Sequence, residues 1–176
     1  MNLRLTSGSA EITRGIGEAL GRVATGPLAF LLTGDYGTGK TTFVQGLARG
    51  LDIAGPVRSP SYNILKRYSG RLVLVHADLY RTRSAPEVDE LGIHDIVDAD
   101  GILAIEWPGR YLPPISEMPS ISIVFSFPAD MPLSQHLAGA AARATDEVDT
   151  RRNLEFQWQD DCPAQIKAVL HALAAR

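Results

Sequence analysis

The sequence predicts an α/β fold with a mostly parallel central sheet flanked by helices. Three observations predict it. Short, largely apolar runs recur along the chain: Leu28-Ala29-Phe30-Leu31-Leu32, Leu72-Val73-Leu74-Val75, Ile102-Leu103-Ala104-Ile105 and Ile121-Ser122-Ile123-Val124-Phe125. Strands covered on both faces of a parallel sheet read this way. Segments with apolar residues at helical spacing alternate with these runs, the order that builds strand-helix-strand units. The first run also leads directly into a glycine-rich segment, Gly34-Asp35-Tyr36-Gly37-Thr38-Gly39-Lys40-Thr41, which opens a helical pattern.

Each element has its own signal. Residues 3–6 alternate and suit a short edge strand. Ser7-Gly8-Ser9 supplies candidate caps for a helix over about 10–24, with Glu11 in its first turn and Ile12, Ile16, Leu20 and Val23 on one face. Gly26-Pro27 ends that helix and starts the strand at Leu28. Apolar positions 43, 44, 47, 48 and 51 make the next helix, and Gly55-Pro56 marks a loop. Residues 62–68 alternate, with Tyr62, Ile64 and Tyr68 on one side and Leu65 off pattern. Gly70 allows a turn into the 72–75 strand, and Pro86-Glu87 suits a short helix start. After the strands at 102–105 and 121–125, residues 128–152 read as a loop or a further helix. Residues 153–158 form a last strand, and 163–174, with Ile166, Val169, Leu170 and Leu173 at helical spacing, a terminal helix. The 176 residues are expected to form a single domain, with 128–176 as a C-terminal extension.

Composition narrows the function classes. An apolar share of 45% supports a packed core, and no stretch approaches a membrane span or a signal-like block. Cys162 is the sole cysteine, which excludes an internal disulfide and fits a reducing compartment. A net charge of −3 argues against bulk, sequence-blind nucleic-acid binding. Charge is unevenly placed. Six basic residues and one acid, Asp78, lie in 58–83, and seven acids with no Lys or Arg lie in 84–106. Two readings stand: a two-signed surface that orients a partner, or solvated faces that neutralise each other.

The glycine-rich segment fits G-x-x-x-x-G-K-[ST], the P-loop pattern for nucleoside triphosphates. Its glycines let the backbone curl so that successive N–H groups face phosphate oxygens, and the following helix adds the positive end of its dipole. Asp35, Tyr36, Gly37, Thr38 and Gly39 form the cradle, Lys40 reaches the β- and γ-phosphates, and the Thr41 hydroxyl ligates Mg²⁺. The expected cofactors are therefore ATP and Mg²⁺. Hydrolysis also needs a carboxylate near the metal and a group that orients water, and in doubly wound sheets such groups sit at the carboxyl ends of strands. Asp78 follows the 72–75 run in the Walker-B manner. Glu106 follows the 102–105 run directly and precedes Trp107-Pro108. Lys40, Asp78 and Glu106 are the catalytic candidates, and Thr41, Asp78 and Glu106 the metal-ligating ones. Water orientation and metal ligation both stay open for Glu106. Trp107 either covers the nucleotide or merely packs in the fold. His76 is a proton-transfer candidate or a local hydrogen-bonding group, and Arg81 a transition-state cation or an ion-pair partner. Tyr80 reads as a packing residue with a polar tip.

The combination of Gly34-Asp-x-Gly-x-Gly-Lys-Thr-Thr42, Ser59-Pro60-Ser61-Tyr62, His76-x-Asp-Leu-Tyr-Arg81, Glu90-Leu91-Gly92 and Ile105-Glu106-Trp107-Pro108, in that order and spacing, resembles the TsaE family over about residues 10–127. These are small P-loop ATPases of tRNA threonylcarbamoyladenosine biosynthesis. The resemblance implies a cytoplasmic ATPase, slow alone, that works with TsaB and TsaD, which modify the adenosine beside the anticodon of tRNA. It implies that hydrolysis resets the complex between turnovers. It also implies Thr42 near the α-phosphate, Asp78 as the metal-site acid, Glu106 and Trp107 as a pair needed for ATPase function, and Ser59 and Ser61 in a segment responsive to the γ-phosphate. The chain departs from the family where Tyr36 and Thr38 replace the usual Leu and Ala, where Ser61-Tyr62 replaces Thr-Phe, and in its longer C-terminal part. Two other readings remain: a small-molecule kinase, against which stands the absence of an evident basic lid helix, and a binding module switched by nucleotide.

Overall fold

The computed structural model describes residues 1–60, 63–82, 84–93, 101–109, 118–131 and 150–175. Ser61, Tyr62, Arg83, Asp95, Asp98, Asp100 and the segment 132–149 lie outside the described residues.

Seven strands form one sheet: β1 (Asn2–Ser7), β2 (Leu28–Thr33), β3 (Leu65–Tyr68), β4 (Leu74–Asp78), β5 (Ile102–Glu106), β6 (Ser120–Ser126) and β7 (Arg152–Trp158). Their order is β1-β7-β6-β2-β5-β4-β3. The central β6-β2-β5-β4 block is parallel, and antiparallel strands flank it on both sides. The described helices are α1 (Ala10–Val23), α2 (Lys40–Gly50), α3 (Ala85–Asp89) and α4 (Ala164–Ala174). The Ser9 side chain caps α1 by accepting from the Ile12 N–H, and Ser84 caps α3 by accepting from the Glu87 N–H. α2 opens on Gly39 with no side-chain cap and no acid in its first turn, which suits a helix end that receives a bound anion.

Period-2 alternation sorts the central strands onto two cores. Leu28, Phe30, Leu32, Leu74, Ile102 and Ala104 join the cluster that α1, α2 and α4 cover. Ala29, Val75, Ala77, Leu103 and Ile105 face the other cluster, with Val88 of α3 and Ile93. The same parity sends His76 and Asp78 of β4, and Glu106 of β5, toward the α2 face. Asp78 and Glu106 are direct register partners at the carboxyl ends of adjacent parallel strands.

Four glycines decide how closely α1 approaches α2. A Cβ on Gly46 would lie 2.0 Å from the Arg14 carbonyl oxygen, and one on Gly50 2.2 Å from that of Glu18. Reciprocally, a Cβ on Gly17 or Gly21 would lie 2.3 Å or 2.4 Å from the carbonyl oxygens of Phe43 and Leu47. The two backbones therefore touch, an approach that only glycine permits. Arg71 crosses from the other side and donates to the carbonyls of Gly21, Arg22 and Ala24, closing the C-terminal end of α1. This one of the 58–83 cations is thus spent on the fold.

Three expectations need correction. The second buried strand is Leu74–Asp78, not 72–75, so Asp78 is its last residue and shares its ladder. Ile12 is 50% exposed, because the face of α1 turned to the protein is formed by Thr13, Ile16, Gly17, Leu20 and Gly21. The alternation expected over 62–68 breaks at Ile64, whose φ of 58° is left-handed, and the strand starts only at Leu65.

Candidate functional site

The turn from β2 into α2 bends through Gly34 (φ 139°), Gly37 (φ 78°) and Gly39 (φ 102°), a region that favours glycine. Gly34 has a second constraint, since a Cβ there would lie 2.2 Å from the Phe125 carbonyl oxygen. The Thr38 hydroxyl donates to the Asp35 carbonyl at 2.7 Å and pins the loop from inside. Asp35, Tyr36 and Gly37 form the exposed crest, and Thr42 is half-buried in the first turn of α2.

Lys40 folds back under this loop. Its ammonium donates to the carbonyls of Gly34 (2.7 Å) and Asp35 (2.9 Å) and lies 4.0 Å from the centroid of the Trp107 ring. Burial lowers its pKa below the usual 10.5; the negative charges of Glu106, Asp78 and Asp35 work in the opposite direction. Desolvation strengthens the pull of the ammonium on an incoming anion, and the nearby carboxylates oppose it.

Thr41 and Glu106 meet directly. The Thr41 hydroxyl donates to Glu106 Oε1 at 2.7 Å. The same oxygen lies 2.9 Å from His76 Nε2, and both His76 and Glu106 are buried. Asp78 is held differently: its Oδ2 accepts from the Ser59 hydroxyl at 2.6 Å and its Oδ1 from the Tyr80 N–H at 3.2 Å. Of the two strand-end acids, Glu106 is therefore the one joined to the P-loop threonine. The reason is strand order. β5 lies beside β2, and β4 is one strand further out. Among the described residues no three His, Cys, Asp or Glu side chains form a cation cage. A hydroxyl and one carboxylate fit a Mg²⁺ ion that takes its remaining ligands from water and phosphate.

Trp107 has φ 58°, an uncommon conformation for a bulky residue. Its N–H donates to the Leu32 carbonyl at 3.0 Å, which ties it to β2. Tyr80, 64% exposed, packs against it with ring centroids 5.0 Å apart and the ring planes tilted by 53°. The sequence anticipated a packing role for Tyr80 but not this partner. It also left His76 without one. The signal was available in part, since His76 and Asp78 are two residues apart on one strand and must share a face.

A model of the TsaE family, described as threonylcarbamoyl adenosine biosynthesis protein TsaE, matches residues 7–129. The chain belongs to the TsaE family. Relatives carry the name tRNA threonylcarbamoyladenosine biosynthesis protein TsaE. That of Treponema pallidum is 36% identical over 124 residues, covering 70% of this chain and 90% of the relative. That of Nostoc is 41% identical, covering 57% of this chain and 64% of the relative. That of Bacillus subtilis is 38% identical, covering 55% and 61%. Among solved structures, Bacillus subtilis YdiB superposes with a TM-score of 0.60 at 25% identity, covering 99% of this chain and 95% of that one. The TsaE match stops before β7 and α4. No helix among the described residues is long and apolar enough to cross a membrane.

Proposed function

We propose that this protein is the Mg²⁺-dependent ATPase of a tRNA threonylcarbamoyladenosine-modifying assembly, working in the cytoplasm with TsaB and TsaD and meeting tRNA through that complex. One observation carries the reading. A buried P-loop lysine, a P-loop threonine and two strand-end carboxylates converge at one edge of the sheet, in a chain of the TsaE family.

In this reading the curled backbone of residues 34–41 and the uncapped start of α2 bind the phosphates, and Lys40 turns its ammonium from the loop carbonyls toward them. Thr41 and Glu106 would hold Mg²⁺, which neutralises charge on the β- and γ-phosphates. Asp78 is assigned to orienting the attacking water, because the Thr41 hydroxyl donates to Glu106 while the Asp78 oxygens accept from Ser59 and Tyr80. The Trp107 ring lies against the Lys40 ammonium, and Tyr80 packs on that ring in turn, an arrangement that would limit the water reaching Lys40.

The test is calorimetric and kinetic. Lys40→Ala should weaken Mg-ATP binding about 100-fold, the loss of about two charge-assisted contacts. Unchanged affinity would remove the P-loop assignment. Adding TsaB and TsaD to the wild-type chain should raise its ATP turnover and shift its elution on a sizing column. A rate and elution volume indifferent to both partners would overturn the assembly reading while leaving the nucleotide site standing.

A further inference from the structure

We propose that His76 is a positioning residue that fixes the Glu106 carboxylate beside Thr41. The inference rests on the reading of Glu106 as the metal-side carboxylate of an ATPase.

His76 lies in the middle of β4, where its neighbours Leu74, Val75 and Ala77 are all fully buried and apolar. An imidazole is costly in such a place. Its Nδ1 is buried with no partner among the described residues, and buried polar atoms are seldom left so. An aliphatic side chain at this position would carry no such cost. What the imidazole supplies in return is one bond, from Nε2 to Glu106 Oε1 at 2.9 Å.

The register explains how it reaches. His76 pairs with Ala104 and Asp78 with Glu106, so His76 and Glu106 are diagonal neighbours on one face of adjacent strands. The methyl group of Ala104 leaves room for the ring. A carboxylate only accepts, so the bond to Glu106 requires a proton on Nε2. Glu106 Oε1 then takes two donors from different elements, Nε2–H from β4 and the Thr41 hydroxyl from α2. No donor among the described residues reaches Oε2. The carboxylate is pinned through one oxygen and open at the other. Its pinning also commits the Thr41 proton to Glu106 and turns the hydroxyl lone pairs away from it. Residues that orient a ligating carboxylate in this way typically change metal affinity or activity about 10- to 100-fold when removed.

Two measurements test this, one without turnover. In the ¹⁵N-histidine spectrum of the wild-type chain, His76 should carry a proton on Nε2, and that proton should move upfield in Glu106→Gln. An Nε2 without a proton, or an Nε2 signal indifferent to that substitution, overturns the proposal whether or not a His76 variant folds. For the second, His76→Leu should raise the Mg²⁺ concentration at half-maximal turnover about tenfold and lower kcat about 10- to 100-fold. Metal-free ADP affinity should stay within about threefold. His76→Gln, whose amide nitrogen can take the place of Nε2, should restore most of both. A merely structural histidine would lower the melting temperature in both variants and leave the Mg²⁺ dependence alone. If the wild-type chain turns over no ATP with or without TsaB and TsaD, the reading of the site falls, and the role of His76 with it. If it does turn over ATP and His76→Leu keeps the wild-type Mg²⁺ dependence, only the role of His76 falls.

Discussion

Replacing Glu106 separates the chemical role of the carboxylate from its structural one. Oε1 accepts from a fully buried imidazole at 2.9 Å and from the Thr41 hydroxyl at 2.7 Å. In Glu106→Gln the amide oxygen still accepts both bonds. They lose charge assistance, which roughly doubles a hydrogen bond's strength, so stability should fall by about 1 kcal/mol. In Glu106→Ala the His76 N–H has no acceptor, and an orphaned buried donor costs about 1–3 kcal/mol more. At about 2–4 °C per kcal/mol for a domain of this size, Glu106→Ala should melt about 2–12 °C below Glu106→Gln. The Thr41 hydroxyl adds little, since it is only partly buried and can turn to solvent. Turnover should order the variants differently. On the proposed reading both lack the metal-side carboxylate, and the loss of several kcal/mol of charge stabilisation should slow either about 100-fold or more. Calorimetric unfolding, isothermal titration with Mg-ADP and single-turnover hydrolysis on the same preparations make the comparison. Glu106→Gln turning over ATP within threefold of the wild type, or Glu106→Ala melting no lower than Glu106→Gln, would refute the reasoning.

Two further perturbations follow from the same geometry. Lys40 has a pKa below 10.5 in the folded chain because it is buried. Over the alkaline range between the folded value and the unfolded one, the unfolded chain binds more protons, so stability rises with pH. Lys40→Met abolishes this component; thermal melts across that range should show the wild type gaining on the variant as pH increases, and parallel curves would contradict it. Gly46→Ala and Gly15→Ala place the same methyl group in opposite settings. At Gly46 it would meet the Arg14 carbonyl oxygen at 2.0 Å, forcing α1 and α2 apart at a cost of about 1–3 kcal/mol or more. At Gly15 nothing lies within 4 Å, and the higher helix propensity of alanine should stabilise the chain by about 0.5–1 kcal/mol. Chemical denaturation of the two variants should give shifts of opposite sign.

The glycine contacts show where one-dimensional patterns lose their grip. Gly17, Gly21, Gly46 and Gly50 stand four apart on two helices, yet nothing in the sequence says that these two stripes face each other. Apolar spacing marked Ile12 as part of the inner face of α1, and the structure exposes it, because the contact with α2 is made by backbone rather than by side chains. Arg71 read as surface charge until its three carbonyl partners appeared at the end of a helix some fifty residues earlier in the chain. The strand carrying Asp78 begins two residues and ends three residues beyond the 72–75 apolar run. Leu72 and Val73 are as apolar as Leu74 and Val75, and hydrogen bonding to neighbours alone sets where a ladder begins.

By itself the sequence determined the alternation of strand and helix, the glycine-rich turn at residues 34–41 and the pairing of an acid with each of two apolar strands. These are local matters, settled by glycine's freedom at positive φ, by periodicity and by residues adjacent in the chain. The tertiary structure decided which acid touches Thr41 and what holds that acid. Strand order places β5 rather than β4 beside β2, and register sets His76 diagonal to Glu106. Both are properties of contacts between segments distant in sequence, fixed only when the whole sheet packs against its helices.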